Sequence, residues 1–204
     1  MTRSFFRALF RTGCVAGACA LAPSLAFAHT GVGPTQGFAH GFMHPVSGID
    51  HILAMVTVGV FAWQLGGRAL WAVPAAFVAV MALGGALGMA GIGLPFVELG
   101  IALSVVVLGA VVALGVKPPL AAAMGLVGLM AIFHGHAHGA EMPENAGGLV
   151  YGLGFMVGTA LLHLAGIGIG FAIGLLGDRF GAVWVRAAGA AVCASGVALV
   201  LGAL

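Results

Sequence analysis

Charge is scarce in this chain. Only 6% of its residues are Asp, Glu, Lys or Arg, against about 25% in a soluble domain. So few ionic groups cannot clothe a water-facing surface, which excludes a soluble globular domain and points to a polytopic membrane protein. Cysteine is nearly as rare, with three in 204 residues. Cys14 and Cys19 fall in the amino-terminal leader and Cys193 in an apolar helix. That excludes a disulfide framework and argues against thiolate ligation of a metal. Cys19 also lacks the setting of a lipoprotein cysteine, because Ala16 stands where a larger aliphatic residue is expected. There is no G-x-x-x-x-G-K-[ST] phosphate loop and no room for a soluble catalytic domain, so ATP is not the expected energy source.

Apolar and small residues fill the space that charge leaves. The chain is 62% hydrophobic and holds 36 glycines. Lipid provides no hydrophobic drive between helices, so small residues that let backbones approach supply the packing instead. Gly84/Gly88, Gly154/Gly158 and Gly166/Gly170/Gly174 are spaced for it.

The amino terminus reads as a secretory signal over residues 1–28. Arg3, Arg7 and Arg11 precede the apolar run Cys14 to Leu25, and Ala26-Phe27-Ala28 forms a small-x-small cleavage site. The alternative is an uncleaved first transmembrane helix. Cleavage after Ala28 would give His29 a free α-amine, which with its own imidazole can chelate a divalent cation; otherwise the terminus is merely mobile.

Six hydrophobic spans follow in residues 29–204, at about 37–64, 70–90, 95–116, 119–134, 147–176 and 182–204. The expected fold is all-α, a polytopic membrane bundle of six transmembrane helices. Arg68 lies between spans one and two, Lys117 between three and four, and Arg179 and Arg186 at the five–six turn, while the alternate connections have neither Lys nor Arg. By the positive-inside rule that side is cytoplasmic. Mature amino and carboxyl termini are then both outside, which agrees with a cleaved signal. Spans one and four run oppositely, so an inverted repeat is conceivable, though no sequence match supports one.

Polar groups interrupt the apolar pattern in two places. In span one, His40, His44, Asp50 and His51 precede a nearly pure apolar run. On a continuous helix, His44 falls at about +40°, His51 at about +20° and Met55 at about +60° from His40, with Asp50 at about −80° on the flank. Pro45 is positioned to break that helix near its start. Ionisable groups in a bilayer usually face the bundle interior and mark a pathway. Imidazole suits nickel, zinc, copper and iron, and a nearby carboxylate can ligate or orient it. The bland alternative is a set of packed helix-end histidines bonded to carbonyls.

The second place is Phe133-His134-Gly135-His136-Ala137-His138-Gly139-Ala140-Glu141. A continuing helix places His138 at about +40° and Glu141 at about −20° from His134, with His136 pointing away. Gly135 and Gly139 could open a loop instead. By the topology, both motifs lie toward the outer face. His163 lies near the middle of span five as a path ligand, a proton carrier or a backbone-bonded group. Glu98 reads as a snorkelling interfacial residue. Met43, Met55 and Met156 offer thioethers, although methionine more often packs.

H-P-x-x-G-x-D-H (His44 to His51) and F-H-G-x-A-H-G-x-E (Phe133 to Glu141), behind a signal and among six spans, resemble the HupE/UreJ family. The resemblance covers essentially the whole mature chain. It implies a bacterial inner-membrane nickel permease, linked to hydrogenase or urease maturation, and it implies importance for His44, Asp50, His51, His134, His138 and Glu141. His40, His136, His163 and His29 rest on the physical reading alone. The first motif is also similar in chemistry to the H-x-x-x-x-D-H signature of nickel/cobalt transporters, but its gap is one residue longer. Uptake of a divalent transition-metal ion, most of all Ni²⁺, is therefore expected, with the ion as substrate and no cofactor. The expected surroundings are the bilayer and a possible second copy of the chain, with no nucleic acid. A membrane metalloenzyme and a metal sensor or chaperone are the competing classes; an H-E-x-x-H signature is absent and the loops are short.

Overall fold

The structure is a computed structural model and describes residues 37–142 and 146–203. Residues 1–28, expected to form a secretory signal, and His29 lie outside the described residues. Among the described residues there are seven α-helices and no strand. They are α1 (Phe38–Ser47), α2 (Ile49–Leu65), α3 (Ala69–Met89), α4 (Val97–Leu114), α5 (Leu120–Glu141), α6 (Ala146–Gly174) and α7 (Asp178–Val200). Helices α3 to α7 are each long and apolar enough to cross a membrane. The 21 residues of α3 reach about 30 Å, the thickness of a bilayer's hydrocarbon core. The bent pair α1 and α2 makes a sixth span if counted as one. The chain is thus an all-helical, multi-pass membrane protein.

The first span departs from expectation. It is two helices at 85° to one another rather than one rod, and the break falls at Gly48 rather than at Pro45. Pro45 stays inside α1, while Gly48 is extended at φ −98°, ψ 128°. Glycine is the residue least committed to a helix, and here it also makes room. A Cβ at Gly48 would stand 2.6 Å from Asp50 Oδ1 and 3.1 Å from His51 Nδ1. The single polar stripe drawn through His40 and His51 therefore does not exist as one helix face.

The fourth span departs too. Instead of ending at His134, α5 continues to Glu141, so Gly135 and Gly139 do not open a loop. They are packing residues: a Cβ on Gly135 would meet the Met81 carbonyl and Gly85 N of α3, and one on Gly139 would meet the backbone of Gly85. Close approach to α3 offsets the weak helix preference of these glycines. The spacings at Gly84/Gly88, Gly154/Gly158 and Gly166/Gly170/Gly174 serve the same purpose against α5, α1 and α2 respectively.

Helix α2 is the centre of the bundle. Ala54, Met55 and Thr57 to Ala62 are all buried, and α2 touches α1, α3, α4, α6 and α7. Phe77 and Met81 of α3 and Val105 and Leu108 of α4 complete the core. Trp71, Leu129 and Leu164 are exposed on the outer faces, where lipid replaces water as the solvent. At one end of the bundle the ends of α2, α4 and α6 and the start of α7 line a cavity of about 410 Å³, with Lys117 and Arg186 in its wall. Arg186 donates there to the Leu114 carbonyl at 2.9 Å.

The α3–α5 contact can be tested at two glycines. Gly135→Val should cost about 1–3 kcal/mol or more by overpacking, seen as a lower melting temperature and loss of a monodisperse peak in detergent. Gly125, whose Cβ would meet nothing within 4 Å, should accept alanine with no loss and gain up to about 1 kcal/mol. Equal stability of Gly135→Val and wild type would contradict this packing.

Candidate functional site

The site forms where the start of α2 meets the end of α5. The bend at Gly48 turns α2 away from α1 and puts Asp50 and His51 in its first turn. One Asp50 oxygen, Oδ1, accepts both the His51 backbone N–H and the His51 Nδ1–H, each at 2.8 Å. A carboxylate only accepts, so it fixes the proton of His51 on Nδ1. Nε2 of His51 is left with a lone pair that faces across to α5. There it meets Nε2 of His138 at 2.6 Å, whose N–H is the donor.

Three more rings close around this pair. His44, on α1, stands 4.4 Å from the His138 ring and 6.1 Å from the His51 ring, centroid to centroid. His134 lies one turn back on α5, 5.0 Å from His51. Phe155 of α6 lies against His138 at 4.6 Å and also against His44 and His51. His51, His134 and His138 are buried, whereas His44 is half-buried. A cavity of about 380 Å³ between α3, α5 and α6 reaches His138, walled by Met81, Met89, Met142 and Met156.

The proton on His134 is also fixed by a neighbour. Ser104 of α4 donates to the Ile101 carbonyl at 2.6 Å, and its oxygen accepts from His134 Nε2 at 2.9 Å. Nδ1 of His134 then carries the lone pair, and that atom has no hydrogen-bond partner although it is buried. Two imidazoles are thus oriented by their far nitrogens, the arrangement that aims a histidine at an electrophile. Among the described residues, no three His, Cys, Asp or Glu side chains stand at the spacing of a closed metal site. The 2.6 Å separation of His51 and His138 is that of a hydrogen bond. Two ligand bonds of about 2.0–2.1 Å at a tetrahedral angle would hold the nitrogens more than about 3 Å apart.

A family model described as HupE / UreJ protein matches residues 17–199. The chain belongs to the HupE/UreJ family. Protein HupE of Rhizobium leguminosarum bv. viciae is 49% identical over 180 residues, covering 88% of this chain and 92% of that protein. No solved structure matches the chain. In this HupE/UreJ chain the two histidine motifs, 83 residues apart from His51 to His134 in sequence, meet in one cluster.

The remaining residues named from sequence are spread around it. Glu141 is exposed at the end of α5, and His40 is exposed on α1, 6.2 Å from the Tyr151 ring. His136 points the other way, with Nε2 2.6 Å from the Ile92 carbonyl. His163 is buried deeper on α6. Glu98 is exposed in the first turn of α4. Met43 is exposed and Met55 belongs to the core. Sequence reading passed over Gly48, Ser104, Phe155 and Tyr151. Ser104 had a signal, as the only hydroxyl residue in Val97–Leu114, and Tyr151 is the only tyrosine of the chain.

Gly48→Ala tests the role of the bend. Its Cβ should push Asp50 Oδ1 off His51, so nitrogen-15 spectra of the imidazoles should show His51 as mixed tautomers instead of one. Thermal stability should fall by about 1 kcal/mol, the worth of one hydrogen bond. A single unchanged tautomer in the variant would refute the crowding argument.

Proposed function

We propose that this chain is an inner-membrane permease that takes up a divalent transition-metal ion, most of all Ni²⁺. The observation that carries the reading is the convergence of His44, His51, His134 and His138 inside an apolar bundle. A buried lone pair on His51 Nε2, held in place by Asp50, is at its centre. Imidazole nitrogen suits nickel, and four neutral rings exchange ligands more readily than a thiolate cage. Asp50 acts through His51: it sets the tautomer and raises the basicity of the ring rather than presenting its own oxygen. An arriving ion parts the His51–His138 hydrogen bond, and His138 moves its proton to Nδ1 to free Nε2. His44 and His134 take further positions. Exposed Glu141 and His40, with His29 of the mature terminus, collect ions at the outer face, while His136 holds α5 against the segment after α3.

Arg68 and Lys117, between helices, and Arg179 and Arg186, in the first part of α7, favour the opposite face as cytoplasmic. The mature termini are then periplasmic, after removal of residues 1–28. An inside-negative potential favours entry of a dication by about 4.6 kcal/mol per 100 mV, which suffices to drive uptake. No resident cofactor is needed. The connections 66–68, 115–119 and 175–177 are short, which favours a permease over a docking sensor.

Radiolabelled nickel uptake into cells lacking other nickel importers tests this, at matched membrane levels of each variant. His51→Ala should abolish uptake, and Asp50→Asn should lower it about 10–100-fold. His40→Ala, at the exposed rim, should change it least. Cobalt, zinc and copper as competitors define the ion. No uptake of nickel by well-inserted wild type would overturn the reading.

A further inference from the structure

One ionisable group in the core belongs to no hydrogen bond. His163 lies in the interior of α6 and is fully buried, and neither its Nδ1 nor its Nε2 has a partner. Buried polar atoms are almost always paired, because water's hydrogen bonds have been given up without return. A leucine or phenylalanine would fill the same space at less cost. The backbone carbonyl that would make His163 an ordinary packed histidine is not within reach of either nitrogen.

Its neighbours are donor groups of a particular kind. Thr159 lies one turn earlier on the same face of α6, is fully buried, and its hydroxyl donates a hydrogen bond to Met81 Sδ at 3.8 Å. The ring of His163 meets Phe77 edge-on at 5.1 Å, and the same Phe77 lies 5.8 Å from His134 of the outer cluster. His163 is therefore the next imidazole inward from His134, with one aromatic ring in contact with both.

We propose that His163, with Thr159 and Met81 beside it, is a second and deeper coordination station for the transported cation. This rests on the permease reading above. The donors are an imidazole, a hydroxyl and a thioether, all neutral. Such a set suits a borderline divalent transition metal that keeps part of its water shell, and it releases the ion more readily than the carboxylate-oriented cluster outside it. A weak inner station following a stronger outer one lets binding and departure both proceed. With Phe77 in contact with both rings, the outer station serves capture and the inner one translocation.

The test uses the full mature chain in nanodiscs and proteoliposomes, with Ni²⁺ as the transported probe. His163→Phe and His163→Ala should bind Ni²⁺ at the outer cluster within about twofold of wild type, yet transport it about tenfold more slowly or worse. The half-saturating concentration should stay unchanged. The melting temperature of His163→Phe should equal or exceed that of wild type, which separates this effect from misfolding. In a Cys193→Ala background, His163→Cys should give a near-ultraviolet thiolate-to-metal band with Co²⁺ that the parent lacks. Wild-type rates in His163→Phe and His163→Ala, or no band in His163→Cys, would overturn the inner station and leave the permease intact. No transport by wild type would overturn both.

Discussion

A hydrogen bond between two imidazole nitrogens ties the bundle's central helix to the helix that carries the second motif. His51 and His138 sit 2.6 Å apart, and both are buried. In such surroundings an unpaired polar group costs about 1–3 kcal/mol, and a satisfied network holds its members in one arrangement. Asp50 makes the pairing directional by accepting the hydrogen bond from Nδ1–H, which keeps the proton on that nitrogen. Ser104 does the same for His134 from another helix. The rings are thereby aimed, and packing against Phe155 keeps them so.

Glycine makes this geometry reachable. Gly48 leaves room for the carboxylate beside its histidine, while Gly135 and Gly139 bring α5 onto α3, so that the motif histidines face inward. On α6, Gly154 and Gly158 lie against the backbone of α1, and Gly166 against that of α2. The chemistry-bearing residues are few, but each depends on a backbone approach that any side chain would obstruct. This is the physical reason for so much glycine in a helical protein.

The bundle also separates its polar groups by depth and by end. The histidines gather where α2 begins and α5 ends, and Lys117 and Arg186 line a cavity where α2 and α4 end and α7 begins. Between the two ends His163 lies buried in the core without a hydrogen bond, one turn from buried Thr159. The imidazoles and the Asp50 carboxylate thus lie toward one end of the bundle, and Lys117 and Arg186 at the other.

Much of this could be read from the residues alone. The near absence of charge and the long apolar runs required a membrane bundle, because nothing else could bury them. The i, i+4 spacing of His134 and His138 placed both on one helix face, and His136 on another, as the structure has them. What composition and periodicity could not supply was the turn at Gly48. A local pattern assumes a continuous helix, and a break depends on what must fit beside it; here that is the Asp50–His51 pair. Nor could they reveal that Ser104 and Phe155 complete the cluster, since contacts between distant helices have no period along the chain. The sequence by itself determined the solvent, the helices and the donor types. Only the tertiary structure decided which nitrogen each neighbour leaves bare, because that depends on partners brought together by packing.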